Sequence, residues 1–209
     1  MWEKIAMKLR WSPASPYVRK VMVAAIEAGL EGRIEKVPTK VGPVIENPEL
    51  SRENPLIKIP SLVTDDGITL YDSPVICEYL DSLHSGAKLF PAAGAARWHA
   101  LRQHALGDGI LDAALLARYE NTLRPENLRW KDWADGQLRK VREGVAALEG
   151  ELDRLSGPIT IGQIAAGCAL GYLDFRYASE NWRARHAKLA AWYEGFAKRK
   201  SMQATLPQG

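Results

Sequence analysis

The sequence predicts an α/β half with the element order β-α-β-α-β-β-α, followed by a half built from helices alone. Three observations carry this prediction. Between residues 7 and 85, short strand-like segments alternate with segments of helical periodicity. A stretch rich in Gly, Ala and Pro interrupts the pattern at residues 86–94, which is typical of a linker. Beyond it, every long segment has helical spacing. We therefore expect one domain at 7–85, a linker at 86–94 and an all-helical domain at 95–209.

The α/β half opens with a strand, a loop and a helix. Residues 8–11 alternate as a strand and lead into the loop SPASP at residues 12–16. A serine followed by a proline is typical of a helix N-cap and a first helical residue. Apolar side chains then recur at helical spacing until Gly29 and Gly32 end the pattern. Residues 1–6 precede this unit as an extension.

The remaining elements of the α/β half follow without a break. Residues 33–38 alternate as a second strand, and residues 39–54 leave room for one short helix. Two apolar runs, 59–64 and 68–71, flank the turn sequence DDG, which is a strong hairpin signal. A third helix is then expected with Pro74 at its first position.

The helical half is predicted to contain a buried central helix. Residues 159–175 are apolar on nearly every face, as expected at the centre of a bundle. Thr160 and Gln163 have the spacing of a capping box at the start of this helix. We expect helices at residues 95–120, 126–155, 162–177 and 188–200.

Composition and charge favour small molecules over large anionic partners. The 28 Lys and Arg residues are interspersed with 25 Asp and Glu residues, so the formal charge is only +3 and no concentrated field for nucleic acid is visible. No apolar run approaches the length of a membrane span. The four histidines lack metal-ligand spacing, so no metal is predicted. Cys77 and Cys168 lie in apolar helical patterns, which predicts buried free thiols in a cytoplasmic protein.

Two predicted helix N-termini have side chains that could bind a ligand. Ser12 and Ser15 precede the first helix, and Asp72 or Ser73 caps the third. Free amides and the helix dipole favour negative charge at such ends, so the first could stabilise a thiolate and the second a carboxylate. Each position can equally be a plain N-cap that binds nothing.

A proline, Pro60, stands at the entry to the third predicted strand. A cis Ile59–Pro60 bond would turn the backbone of Ile59 outward, where it could pair with an extended peptide ligand. The alternative is an ordinary edge-strand proline.

Three motifs occur together in one order: Ser-Pro-x-x-Arg-Lys at residues 15–20, Asn-Pro-x-x-Lys-Ile-Pro-x-Leu at 54–62, and Asp-Ser-x-x-Ile-x-x-Tyr-Leu at 72–80. With the helical half behind them, they resemble the cytosolic glutathione transferases over nearly the whole chain. The resemblance is greatest to bacterial members that have serine at the activating position. It implies a thioredoxin-like first domain that binds glutathione and an all-helical second domain that covers the second substrate.

The resemblance also implies where the glutathione peptide lies. Its backbone pairs with Ile59, the residue before the cis-proline Pro60. Its γ-glutamyl carboxylate lies at the start of the third helix, at Asp72 and Ser73. These assignments follow the family pattern and not the composition or spacing of the chain.

Charge and hydrogen bonding complete the implied site. Lys58 resembles the basic residue that meets the glycyl carboxylate, and Lys40 could assist it. A free thiol has a pKa of about 8.5, so a hydroxyl donor and the helix dipole must stabilise the thiolate of glutathione. Ser15 is the preferred donor because residues 15–17 match the family's Ser-Pro-aromatic triplet, and Ser12 is its competitor. Neither serine is a nucleophile, since the sulfur of glutathione attacks.

The second substrate implied by the resemblance is a small electrophile. It is expected against the end of the first strand, the loop that follows, and the inner face of the first long helix. The residues on that helix can equally be bundle core. The candidates are Trp11, Pro13, Ile110, Leu111, Ala114 and Tyr119.

The function that the resemblance implies is that of a glutathione S-transferase with glutathione as co-substrate, no metal, and a role in detoxification. The alternatives are a non-catalytic interaction or regulatory protein on the same fold, or a glutathione-dependent isomerase, dehalogenase or peroxidase. The Ser12-x-x-Ser15 spacing replaces the C-x-x-C of redox relatives, which argues against disulfide chemistry. The resemblance also implies a homodimer.

Overall fold

The computed structural model describes residues 7–209, so the extension predicted at residues 1–6 lies outside the described residues. Contacts divide the chain into two compact units. The first runs to Phe90 and also includes Lys200–Gly209, and the second is Pro91–Arg199. The predicted fold class, a small α/β half followed by a helical half, is confirmed.

A sheet of four strands in the order β2-β1-β3-β4 forms the centre of the first unit. β1 and β2 are parallel, whereas β3 is antiparallel to both β1 and β4. Leu9 of β1 and Leu62 of β3 are paired and fully buried, so the middle of the sheet belongs to the core. The strands are β1 (Met7–Trp11), β2 (Ile34–Pro38), β3 (Ser61–Val63) and β4 (Thr69–Tyr71).

The hairpin strands are shorter than the predicted runs 59–64 and 68–71. β3 begins only after Pro60, which has no N–H to donate to a sheet ladder. At its other end, Thr64 leaves the strand to close the turn, where its N–H donates to the carbonyl of Ile68 at 2.8 Å and its carbonyl accepts from Gly67 at 2.9 Å. The element order of this half is the predicted one.

Three helices follow strands of the first unit, and each has proline in its first turn. Such a proline has no N–H to leave unpaired and a φ that already suits a helix. The helices are α1 (Pro16–Glu27), α2 (Pro48–Glu53) and α3 (Ser73–Ser82).

The last ten residues differ from the prediction of one helical domain at 95–209, because they pack on α1. The short helix α9 (Lys200–Gln203) meets α1 through polar contacts. Nη2 of Arg19 donates to the carbonyl of Met202 at 3.3 Å, and Oγ of Ser201 donates to Oε1 of Glu27 at 2.5 Å. Sequence periodicity does not report such contacts between distant segments.

The second unit is helical throughout its regular elements. Its longest helix, α4, packs on α5 and α6. Two glycines on facing surfaces allow this: Gly107 of α4 lies against the backbone of Ala165, and Gly144 of α5 lies against Ile110. The helices are α4 (Gly94–Thr122), α5 (Lys131–Gly150), α6 (Ile161–Arg176), α7 (Trp182–Arg185) and α8 (Ala187–Ala197).

The predicted helix at 126–155 is interrupted, whereas the predicted central helix is confirmed. Glu126–Leu128 form a separate 3-10 turn, and α5 starts at Lys131 because the Glu120 carboxylate accepts the Trp130 N–H at 2.7 Å and holds the turn. α6 is buried from Ile161 to Leu173, and Gln163 Oε1 accepts the Thr160 N–H at 2.8 Å as the capping box requires. None of the helices in residues 7–209 is long and apolar enough to span a bilayer.

Candidate functional site

The sheet register gathers the predicted glutathione residues at one edge of the sheet. Arg10 of β1 pairs with Ser61 of β3, and Ser61 pairs with Tyr71 of β4. β1 therefore ends, β3 begins and β4 ends at the same level. The parallel partner β2 ends there too, because Trp11 pairs with Pro38. The segments that continue from this edge contain Ser12, Ser15, Lys40, Lys58, Ile59, Pro60, Asp72 and Ser73.

Both candidate serines lie in the loop between β1 and α1, and both hydroxyls have a free proton. Ser15 is the N-cap of α1, and its Oγ accepts the Val18 N–H at 3.3 Å. Ser12 Oγ accepts the Ala14 N–H at 3.4 Å. Neither hydroxyl donates to another residue in the described part of the chain. Either can therefore donate a hydrogen bond to an anion at the start of α1, and the preference for Ser15 stays a prediction.

The Ile59–Pro60 peptide bond is cis, which was the first of the two possibilities that the sequence left open for this proline. The backbone N–H and C=O of Ile59 have no backbone partner among residues 7–209. Buried Asn54 fixes the preceding loop, because its Nδ2 donates to the carbonyl of Lys58 at 2.9 Å and its Oδ1 accepts the Leu56 N–H at 3.0 Å. Sequence reasoning did not assign this role to Asn54, although it quoted the residue within a motif.

The start of α3 holds a buried hydroxyl that has no partner. Ser73 is 1% exposed, and its Oγ makes no hydrogen bond with any described residue. Asp72 before it has a φ of 69°, so the chain turns sharply out of β4, and its exposed carboxylate does not cap the helix. Ser61, fully buried in β3 at the same edge, also has an unpartnered Oγ and was missed in the sequence. Unpaired buried hydroxyls are costly, so they indicate a place where a polar ligand binds.

The two candidate lysines, Lys40 and Lys58, have exposed side chains on loops next to this edge. The carbonyl of Lys40 accepts from Asn47 Nδ2 at 3.3 Å, which ties its loop to the cap of α2. Both ammonium groups are therefore free to reach a carboxylate from solvent. Their part in glutathione binding stays a prediction.

Arg10 forms a network at this end of the sheet that sequence reasoning missed. Its Nε donates to Glu53 Oε2 at 2.9 Å, and its Nη2 contacts Glu53 Oε1 at 2.5 Å and Glu49 Oε1 at 2.8 Å. The two carboxylates raise the pKa of Arg10, and the guanidinium lowers the pKa of Glu49. The network fastens α2 to β1, and the only available signal was two glutamates four residues apart on one helix face.

The candidate residues for the second substrate divide into two groups. Trp11 and Pro13 are partly exposed in the first unit, where Lys36 Nζ lies 5.7 Å from the centre of the Trp11 ring. On α4, Ile110, Leu111 and Ala114 are buried, and Ile110 faces α5 at Gly144. These three therefore serve as core of the second unit, which was the alternative kept open for them.

Tyr119 differs from the other α4 candidates because it is partly exposed. Partial burial raises the pKa of its phenol, so the hydroxyl remains protonated at neutral pH. It is thus the α4 candidate that can present a polar group to a ligand. Elsewhere in residues 7–209, no group of three or more His, Cys, Asp or Glu residues is placed to hold a metal ion.

Comparison with known proteins gives a match to a family model in each half of the chain. Residues 14–83 match the family model of the glutathione S-transferase N-terminal domain, and residues 131–195 match that of the C-terminal domain. Over 205 residues, the chain is 31% identical to an uncharacterized GST-like protein, YibF, of Escherichia coli (strain K12); the match covers 96% of this chain and 98% of that protein.

Two similar crystal structures are described as a glutathione transferase family member from Pseudomonas fluorescens Pf-5. One has bound glutathione and matches with a TM-score of 0.96 and 46% identity over 98% of this chain and 100% of that chain. The other has bound S-(propanoic acid)-glutathione and matches with a TM-score of 0.90 and 46% identity over 97% of this chain and 100% of that chain.

Proposed function

The chain belongs to the glutathione S-transferase family, and we propose on that premise that it is a serine-type glutathione transferase acting on small electrophiles. One observation carries the proposal: a single edge of the sheet gathers the unpaired backbone of Ile59, the unpartnered hydroxyl of Ser73 and the serines at the start of α1. These groups match the parts of an extended peptide that has a carboxylate at one end and a thiol in the middle.

Glutathione binds along this edge as a short extended strand. The backbone of Ile59 pairs with the cysteinyl residue of glutathione. The γ-glutamyl carboxylate accepts hydrogen bonds from the Ser73 hydroxyl and from the free amides at the start of α3. Lys58, assisted by Lys40, neutralises the glycyl carboxylate.

The enzyme lowers the pKa of the bound thiol and holds the thiolate for attack. At a pKa of about 8.5, a free thiol is only a few per cent ionised at neutral pH. Ser15 donates a hydrogen bond to the sulfur at the positive end of α1, and Ser12 is the alternative donor. The sulfur forms a bond to an electrophilic carbon, and the leaving group departs with its electron pair.

The two similar crystal structures support both parts of this proposal, glutathione binding and conjugation at its sulfur. One holds glutathione, and the other holds glutathione whose sulfur carries a propanoic acid group. The second ligand has the thioether that conjugation of glutathione produces. Family membership and the groups at the sheet edge are the grounds on which we extend this function to the chain.

Calorimetry and turnover test the proposal together. Glutathione should bind wild-type protein, and conjugation of chlorodinitrobenzene should fall by two orders of magnitude or so in Ser15→Ala, the loss expected of one hydrogen-bond donor to a developing anion. Ser82→Ala is the matched control, because Ser82 is exposed at the far end of α3 and its Oγ donates only to the Tyr79 carbonyl at 2.6 Å. A larger loss in Ser12→Ala would move the donor role to Ser12.

Other outcomes separate the alternatives. No glutathione binding at millimolar concentration would refute the enzyme and leave a protein-interaction module. Binding without conjugation of any tested halide would instead favour an isomerase, dehalogenase or peroxidase on the same thiolate step.

The proposed setting is a cytoplasmic homodimer that detoxifies electrophiles. Cys77 and Cys168 are buried and form no disulfide, which suits a reducing compartment. The dimer is the family's usual two-fold assembly. Sedimentation at a dimer mass is expected, and a monomer mass would contradict this part of the proposal.

A further inference from the structure

The loop between α2 and β3 closes around one buried residue, Asn54. This residue is 1% exposed and ends α2, where its N–H donates to the Leu50 carbonyl at 2.7 Å. Its own carbonyl accepts the Ile57 N–H at 2.9 Å, which closes a turn. Its side chain spans this turn, because Oδ1 accepts the Leu56 N–H at 3.0 Å and Nδ2 donates to the Lys58 carbonyl at 2.9 Å. Asn54 is therefore bonded to three residues in a row of the loop that follows it.

Ile57, the middle one of these three residues, has a backbone conformation that its side chain disfavours. Its φ is 52°, in the left-handed region, which is disfavoured for a residue with a Cβ by a factor of about 5 to 30. Branching at Cβ makes isoleucine especially rare there. Among the described residues, the other positive φ values belong to glycines and to Asp72 and Asn181, whose types tolerate this region. Its surroundings must therefore hold Ile57 in this conformation.

The contacts that hold Ile57 lie on both sides of it and within the first unit. The hydrogen bonds of Asn54 fix Ile57 itself and the residues before and after it. The end of α2 is fastened to β1, because Nε of Arg10 donates to Oε2 of Glu53 at 2.9 Å. On the other side, the chain enters β3 directly after Pro60. A strained residue persists only where its neighbours fix the conformation in this way.

A loop that only had to connect α2 with β3 would not need this arrangement. The backbone of Asn54 is enough to end the helix and to close the turn. Glycine in place of Ile57 would adopt the positive φ without steric cost. The side-chain bond to Lys58 lies beyond the turn, and the next residue is Ile59, whose N–H and C=O have no backbone partner in the described part of the chain. Strain of this kind is found mainly at ligand sites.

We propose that Asn54 is a positioning residue for glutathione: it holds Ile57 in the left-handed conformation so that Lys58 and the backbone of Ile59 face the peptide. The inference rests on the proposed function. Because the Asn54 side chain is buried, it acts through the residues that reach the ligand. A loop that is already ordered loses less conformational freedom when glutathione binds, so Asn54 raises the affinity. It should have little effect on the chemical step, because the serines proposed as thiol donors belong to the loop between β1 and α1.

The test measures the Kd of glutathione by calorimetry and kcat at saturating glutathione. Asn54→Ala should raise Kd by about tenfold, because binding must then restore the disfavoured conformation of Ile57, and kcat should stay nearly unchanged. Ile57→Gly should restore most of the lost affinity in the Asn54→Ala protein, since glycine accepts the positive φ. Leu56→Gly is the matched control. It adds the same backbone freedom at a neighbouring exposed residue whose φ is not positive, so it should restore nothing.

Two further variants separate this role from a loss of folding. Leu80→Ala leaves a cavity at the far end of α3, so it should lower Tm without raising Kd. Asn54→Ser keeps an acceptor for the Leu56 N–H but is too short to reach the Lys58 carbonyl. It should raise Kd as Asn54→Ala does, and it decides the question if the alanine variant does not fold.

Failure of this inference can be told apart from failure of the proposed function. Unchanged Kd in both Asn54 variants would overturn the inference and leave the transferase standing. Affinity that Ile57→Gly does not restore, or that Leu56→Gly restores equally well, would also overturn it. No binding of glutathione to wild-type protein at millimolar concentration would overturn both. Binding without conjugation would refute only the transferase, because the pattern of Kd values still decides the role of Asn54.

Discussion

Replacing Gly107 with alanine should force α4 and α6 apart. A Cβ at this position would lie 2.8 Å from the carbonyl carbon of Ala165 and 2.9 Å from its Cβ and its O, whereas ordinary contact begins at 3.4 Å. The neighbour is backbone, so no side chain can rotate away. The helices must separate by several tenths of an ångström along their main contact.

The expected cost follows from two opposing effects. Overpacking of this kind destabilises by about 1–3 kcal/mol. Alanine in a helix gains about 1 kcal/mol over glycine. Gly109→Ala is the matched control, because it lies two residues away on α4, is exposed and meets nothing within 4 Å. Since both variants have the same propensity gain, the difference between them measures the packing cost.

Urea unfolding followed by circular dichroism gives both free energies of unfolding. Gly109→Ala should be more stable than wild type, and Gly107→Ala should be less stable than Gly109→Ala by about 1–3 kcal/mol. Equal stability of the two variants would refute the close approach of α4 and α6 described above.

Three further predictions concern other sites. Ser73→Ala should weaken glutathione binding in calorimetry by about tenfold, the effect of one hydrogen bond of about 1.4 kcal/mol, without loss of thermal stability, because its hydroxyl has no protein partner; a large fall in Tm would contradict this. Arg10→Met should lower the free energy of unfolding in urea by about 2 kcal/mol, since it breaks hydrogen bonds of a charged group to Glu53; unchanged stability would show that the network does not hold α2. The Glu120 carboxylate accepts the Trp130 N–H, which is the main cause that lowers its pKa. Its contribution is therefore present above the ordinary carboxyl pKa of about 4.3 and is lost as the pH falls through the lowered value. Glu120→Gln should make the free energy of unfolding fall less steeply as the pH is lowered into the acid range. An unchanged pH dependence would contradict this role of Glu120.

Local signals in the sequence were sufficient where structure is set by neighbouring residues. The β1-loop-α1 unit was predictable because Ser15 and Pro16 fix the start of a helix through their own chemistry. The capping box of Thr160 and Gln163 was predictable for the same reason. The hairpin itself was predictable from the turn sequence at residues 65–67, and its register pairs Ser61 with Tyr71.

Contacts between distant residues were not predictable in this way. Arg10 and Glu53 are 43 positions apart, and nothing in either local pattern indicates that they pair. The interruption before α5 depends on the Glu120 side chain reaching Trp130, so periodicity alone continued the helix across it.

The most direct test of the central claim is the pKa of the thiol of bound glutathione, measured from the ultraviolet absorbance of the thiolate across a pH titration of the complex. The account predicts a pKa clearly below the free value of about 8.5, with most of the shift lost in Ser15→Ala and retained in Ser82→Ala. A bound thiol that titrates at the free value in wild-type protein would contradict the claim that this chain activates glutathione.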